Sequence, residues 1–171
     1  MRMKRVIIVF IVVASLAVFL YLIDTASNTP PTVGAVNTLF VKERDAIDAV
    51  VNQMAHMGFC DIYIPRNDGQ MLADLSMLEI QEETFLLAID RLLGSGSYLQ
   101  MGKEGNTVWL LQWTGVRDIG CGIAYSIDGI TPPYIEYCTE LIPISADGWY
   151  YYVSDYNLWR SSRGTSVLNP A

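Results

Sequence analysis

Histidine occurs once in the 171 residues, at His56. A Ser-His-Asp relay would have to be built on that one imidazole, and no Gly-x-Ser-x-Gly elbow accompanies it. Cysteine is scarce too: Cys60, Cys121 and Cys138 are the three present, 61 and 17 residues apart. There is no Cys-x-x-Cys, which excludes a thioredoxin-like redox pair. With one histidine and these spacings, no zinc site is expected either. Asn67-Asp68-Gly69 lacks the alternating acids and distal Glu of an EF-hand calcium loop. No cofactor is implied by any motif. Basic residues are also few, eleven Lys and Arg against eighteen Asp and Glu, a net charge of −7. Arg2, Lys4 and Arg5 precede residue 6, and from Val36 onward seventeen acids face eight basic residues, a balance of −9. Such an acidic head argues against nucleic acid or an anionic lipid surface as its partner.

What the chain does have is an apolar run. Val6 to Ile23 reads VIIVFIVVASLAVFLYLI, with Ser15 and Tyr21 its polar side chains. As a helix these eighteen residues would extend about 27 Å, near the ~30 Å hydrocarbon thickness of a bilayer. The basic flank at residues 1–5 predicts a cytoplasmic N-terminus and an extracytoplasmic head, so the membrane is the first expected partner. The alternative is a cleaved signal peptide and secretion. The run exceeds the ~7–15 residues of a signal core, however, and Thr25-Ala26-Ser27 is a poor cleavage site. An N-terminal apolar helix ahead of an α+β head resembles the type IV pilins and pseudopilins. Their glycine-containing processing site and internal Glu are absent, because Lys4-Arg5-Val6 stands at the junction and no acid lies between Val6 and Ile23. Thr29-Pro30-Pro31 would also interrupt a continuous stalk helix. The resemblance is therefore rejected.

Residues 24–36 read as a proline-containing linker, 37–160 as one α+β domain and 161–171 as a flexible tail. In the head, Phe40, Ile47, Val50, Val51, Met54 and Met57 recur at helical spacing and predict a helix over 38–57. Phe59 to Pro65 alternates as a strand with Cys60, Ile62 and Ile64 on one face. Asp68-Gly69 is a hairpin signal, with a short partner strand within Gln70 to Ile80. Glu82 to Leu93 carries a second apolar helical stripe. Tyr98 to Met101 and Thr107 to Thr114 form a hairpin around Gly102 to Asn106. Val108, Trp109, Leu110, Leu111 and Trp113 make its second strand apolar on both faces, as in a strand covered from both sides. Ile119 to Ile127 alternates strictly: Ile119, Cys121, Ile123 and Tyr125 face one way, and Gly120, Gly122, Ala124 and Ser126 the other. The small-residue face invites close approach by a neighbouring element or a ligand. Tyr134 to Ile142 and Trp149 to Val153 are the last strands. The expected fold class is α+β, a single N-terminal transmembrane helix followed by a two-helix head and a mostly antiparallel meandering sheet, in the order α-β-β-α-β-β-β-β-β.

A two-residue turn at Gly129-Ile130 would pair 121 with 138, within disulfide reach, so a Cys121–Cys138 bridge is expected. Pro132 and Pro133, which donate no backbone hydrogen bond, stand at the start of that second strand. Cys60 is expected in the core, away from His56 on the polar side of its helix, so the two are not read as nucleophile and base. Glu136 and Glu140 share one face of a predicted strand, near Asp128, and are the carboxylates a hydrolase could use. Asp147-Gly148-Trp149-Tyr150-Tyr151-Tyr152-Val153, continuing to Tyr156 and Trp159, is the most aromatic stretch. Its Gly-Trp-Tyr-Tyr resembles one unit of the choline-binding and glucan-binding repeats, which implies cation–π or sugar-stacking contacts. Those families build each site from tandem copies, and this chain has one. Trp149, Tyr150, Tyr152, Tyr156 and Trp159 are the candidate binding surface. No catalytic and no metal-binding residue is predicted. The expected function is a membrane-tethered, non-enzymatic domain that binds a protein or a cell-envelope component. The alternatives are a carboxylate-dependent envelope hydrolase and a structural or inhibitory subunit of a membrane complex.

Overall fold

The structure, a computed structural model, describes residues 12–22, 25, 29–63, 72–73, 83–115, 118–144 and 146–166. Residues 12–22 form a helix, α1, whose side chains are exposed, Phe19 by 59% and Leu20 by 57%. Among the described residues no helix is long and apolar enough to cross a membrane. The expected span, Val6 to Ile23, falls among them only at residues 12–22, and the turn expected at 66–69 lies outside them, as does most of Gln70 to Ile80.

The head begins earlier than its composition suggests. Thr32 accepts the Ala35 amide at 3.3 Å and caps helix α2 (Val33–Lys42), which buries Val36 and Phe40. The segment read as a linker up to 36 therefore ends at Thr32. The helix expected over 38–57 is two helices, because the backbone breaks at Glu43 before α3 (Arg44–Ala55). The break lets the two apolar stripes cover different strands. Phe40 and Val36 pack over the fifth and seventh strands, and Ile47, Val50 and Met54 over the third and fourth. Helix α4 (Glu83–Ile89) runs into a π turn at Asp90–Gly94, burying Phe85, Ile89 and Leu92 against α3. The last helix, α5 (Tyr156–Ser166), extends through half of the stretch expected to be a loose tail.

The strands are β1 (Cys60–Tyr63), β2 (Leu72–Ala73), β3 (Gln100–Glu104), β4 (Thr107–Thr114), β5 (Ile119–Ser126), β6 (Cys138–Pro143) and β7 (Trp149–Asp155). They form one antiparallel sheet in the order β2-β1-β3-β4-β5-β7-β6, with a two-residue strand at one edge. The α+β class and the antiparallel sheet agree with the sequence reading. The meander does not persist to the end, because β7 lies between β5 and β6. Pro132 and Pro133 cannot donate to a ladder at the start of a strand paired with β5. The chain instead leaves the sheet after Ser126 and crosses its outer face, and the strand expected from Tyr134 begins only at Cys138.

Register sorts the side chains cleanly. Ile62, Met101, Leu110, Ile123 and Tyr151 stand opposite one another across five strands, face the helices and are all at most 3% exposed. The outer face carries Gly102, Trp109, Ala124 and Tyr150 in one row and Gln100, Leu111, Gly122 and Tyr152 in the next. Small and large residues alternate along the first row, and Gly122 is the one small residue of the second. Gly122 has a further reason to be glycine: a Cβ there would run into the Leu110 carbonyl, beside the β4 bulge between Leu111 and Trp113.

Candidate functional site

The crossing segment, residues 127–137, is a strap tied down at both ends. At its start the Asp128 carboxylate accepts the Ile130 and Thr131 amides at 2.9 Å each and the Thr131 hydroxyl at 2.8 Å. The buried Ser126 hydroxyl lies 2.8 Å from Asp128 Oδ1, and Asn106 Oδ1 accepts the Asp128 amide at 3.2 Å. These donors hold the Asp128 carboxyl well below the usual carboxylate range, the two backbone amides contributing most. Further on, the Tyr134 amide donates to Thr107 Oγ1 at 2.9 Å. The far end is fixed by the Asp155 amide on the Tyr137 carbonyl at 3.0 Å, with Tyr137 itself at φ +55°.

Between strap and sheet runs a groove of about 230 Å³. Gln100, Glu104, Trp109, Leu111, Tyr152 and Ser154 supply the sheet side, and Tyr134, Ile135 and Glu136 the strap side. A second groove, of about 320 Å³, lies along the other side of the strap against Trp159. Tyr152 is 3% exposed, and burial pushes its phenol far above the ordinary tyrosine range. Its hydroxyl makes no hydrogen bond among the described residues. Tyr134, by contrast, is 67% exposed. Glu104 and Glu136 are exposed and have no ion-pair partner among the described residues. The Tyr137 hydroxyl is hydrogen-bonded to Glu136, which raises the Tyr137 pKa.

The five aromatic residues expected to form one surface are divided among three places. Trp149 is 3% exposed and faces the helices, 4.8 Å from Phe40 and 4.9 Å from Tyr125 ring to ring. The Arg44 guanidinium covers the same cluster, 4.8 Å from the Phe40 ring and 5.6 Å from the Trp149 ring. Tyr150 and Tyr152 lie on the outer face, the first half-buried and the second in the groove. Tyr156 and Trp159 meet on α5, where Tyr137 stands 4.9 Å and 5.1 Å from them. Trp149 is therefore core, and Tyr152 is a groove residue, not an exposed one. Period-two alternation decides this outcome, because Trp149, Tyr151 and Val153 share the helix side.

The expected Cys121–Cys138 disulfide is absent. Cys60, Cys121 and Cys138 are free thiols. Cys121 lies opposite Val153 and Cys138 opposite Ser154, so β7 separates them and they project to opposite faces. Two strand spacings amount to about 9–10 Å, beyond the ~4.4–6.8 Å Cα range of a bridge. Burial pushes the Cys121 thiol up to about 12 and raises Cys60 as well. Cys60 is core, as expected, while His56 is exposed at the end of α3.

The two carboxylates expected on one strand face are likewise apart. Glu136 is on the strap, and Glu140 lies on β6 opposite Val153, toward the helix side. Glu104 takes Glu140's place as the acid that shares a groove with Glu136. Among the described residues no group of three or more His, Cys, Asp or Glu is placed to hold a metal.

Sequence reasoning missed Trp109, Gln100, Glu104 and Tyr134 as site residues. A signal for the first was present, since a strand apolar on both faces needs a second cover, and Trp109 with Leu111 is what the strap covers. No protein-family model, no curated protein and no solved structure matches the chain.

Proposed function

We propose that the chain is a membrane-tethered, non-enzymatic binding module with its folded part outside the cytoplasm and its ligand site in the groove between strap and sheet. The tether rests on the apolar run Val6 to Ile23 and its Arg2, Lys4, Arg5 flank. The observation that carries the binding reading is the groove itself. It is preformed by a strap pinned through Asp128, Thr107 and Asp155, and Tyr152, 3% exposed, lines it. The volume is below the ~300–1,000 Å³ of typical small-molecule sites, which favours one side chain or a short segment of a larger partner. Glu104 and Glu136, lining one groove, keep carboxylate hydrolysis as the second reading.

A photo-crosslinking residue at Tyr134 tests the module in its native membrane, with the same residue at Leu87 on α4, which is 62% exposed, as the control. The expected result is an adduct from position 134 that Trp109→Ala abolishes, and none from position 87. Equal adducts from both positions, or none from 134, would sink the reading.

A further inference from the structure

Resting on the groove as the binding site, we infer that its occupant is a basic side chain, arginine or lysine, presented by a protein partner. The groove is rich in groups that attract a cation. Glu104 and Glu136 bring two carboxylates with no cation of this chain paired to either among the described residues. Trp109 and Tyr134 add aromatic rings to the same walls, and a cation over an aromatic face is drawn by the ring quadrupole, most strongly over tryptophan. Carboxylates accept only, so an occupant that satisfies them must donate hydrogen bonds, which guanidinium and ammonium groups do and a quaternary ammonium does not.

A second observation, independent of the acids, points to a ligand. Tyr152 is 97% removed from solvent by its 3% exposure, lines the groove and has no hydrogen-bond partner among the described residues. Charge complementarity extends beyond the groove. From Val36 onward the balance is −9, which steers a basic partner toward the head and repels an acidic one. At about 230 Å³ the space suits a single long side chain with its stem along Leu111 and Ile135.

Indole N–H resonances of the ¹⁵N-labelled full chain in detergent micelles supply the readout, with Trp109 assigned by Trp109→Phe. Blocked, glycine-flanked peptides carrying arginine, its neutral isostere citrulline, or glutamate are the probes, together with choline. The arginine peptide should shift the Trp109 resonance saturably. Citrulline should bind about tenfold more weakly, as expected when a charge-assisted hydrogen bond becomes a neutral one. E104Q/E136Q, two exposed positions, should abolish the preference of arginine over citrulline while leaving the urea midpoint unchanged. Citrulline binding as tightly as arginine would overturn the cationic occupant while the groove remained a binding site. Choline binding as tightly as arginine would overturn the donor side chain. If no probe moves Trp109, both the inference and the groove reading fall.

Discussion

Gly102 and Trp109 are cross-strand partners on the outer face, and the indole occupies the space that a side chain on Gly102 would fill. A Cβ at Gly102 would also come within 3.0 Å of the Cys60 carbonyl. Gly102→Ala must therefore displace Trp109 toward the groove or push β1 away, at a cost of about 1–3 kcal/mol typical of overpacking. In a Trp109→Ala background most of that cost should vanish, and the lower chain entropy of alanine can even turn the sign. A double-mutant cycle by urea unfolding measures the coupling. Additive effects of the two changes would mean that the indole does not lie over Gly102.

Trp149 and Trp159 are ten residues apart in one aromatic stretch but belong to different layers. Trp149 is packed against Phe40 and Tyr125 in the helix-side core, whereas Trp159 is half-buried beside Tyr137 and Tyr156. Trp149→Ala should cost about 3–5 kcal/mol, as for a large core aromatic. Trp159→Ala should cost about 1–2 kcal/mol, from its ring contacts and partial burial. Chemical denaturation of the two variants separates the assignments, and equal losses would contradict them.

Local pattern was legible where the physics is local. The alternation of Ile119 to Ser126 and the apolar stripe from Ile47 to Met54 appear in the fold as read, because a side chain's face follows from the backbone period alone. The strand order was not legible in the same way. Whether Cys138 lies beside Cys121 depends on where Trp149–Asp155 inserts, and that strand comes later in the chain. Pro132-Pro133 did carry the warning, since consecutive residues without an N–H cannot open a paired strand. The break at Glu43 was hidden, and Glu43 there is held by a residue distant in sequence. The Arg91 Nε lies 2.8 Å from Glu43 Oε2, and the Glu43 side chain is only 7% exposed. The groove was hidden for the same reason, as its walls come from β3, β4, β7 and the strap.

Free thiols at all three cysteines make a direct chemical prediction. Intact mass under non-reducing conditions, after alkylation in denaturant, should show three alkylated cysteines with no prior reductant. In the native state Cys138 should react first, because it is only half-buried, whereas Cys60 and Cys121 are 7% and 0% exposed. Burial also keeps the Cys121 thiol protonated, with its pKa pushed up to about 12, and the thiolate is the reactive form. Recovery of a single alkylated cysteine would mean that the other two are bridged, and a bridge mapped to Cys121 and Cys138 would mean that β7 does not separate β5 from β6.

The strap should loosen in acid, and Asp128 sets the range. Its folded pKa is depressed by the Ile130 and Thr131 amides and by the Ser126 and Thr131 hydroxyls. An unfolded aspartate titrates near ~3.9, so the Asp128 contribution is fully present above about pH 4. It is lost as pH falls below that toward the depressed folded value, because the unfolded chain takes up the proton first. Asp128→Asn retains one acceptor oxygen but no charge, and its loop should lose most of this dependence. Amide hydrogen exchange at Ile130 and Thr131, corrected for intrinsic rates, reports the loop directly. In the native sequence protection should fall on acidification from about pH 5 to about pH 3, while in the asparagine variant it should be lower at both and nearly flat. Parallel acid dependence in the two proteins would assign the effect to other carboxylates and leave the strap without its Asp128 anchor.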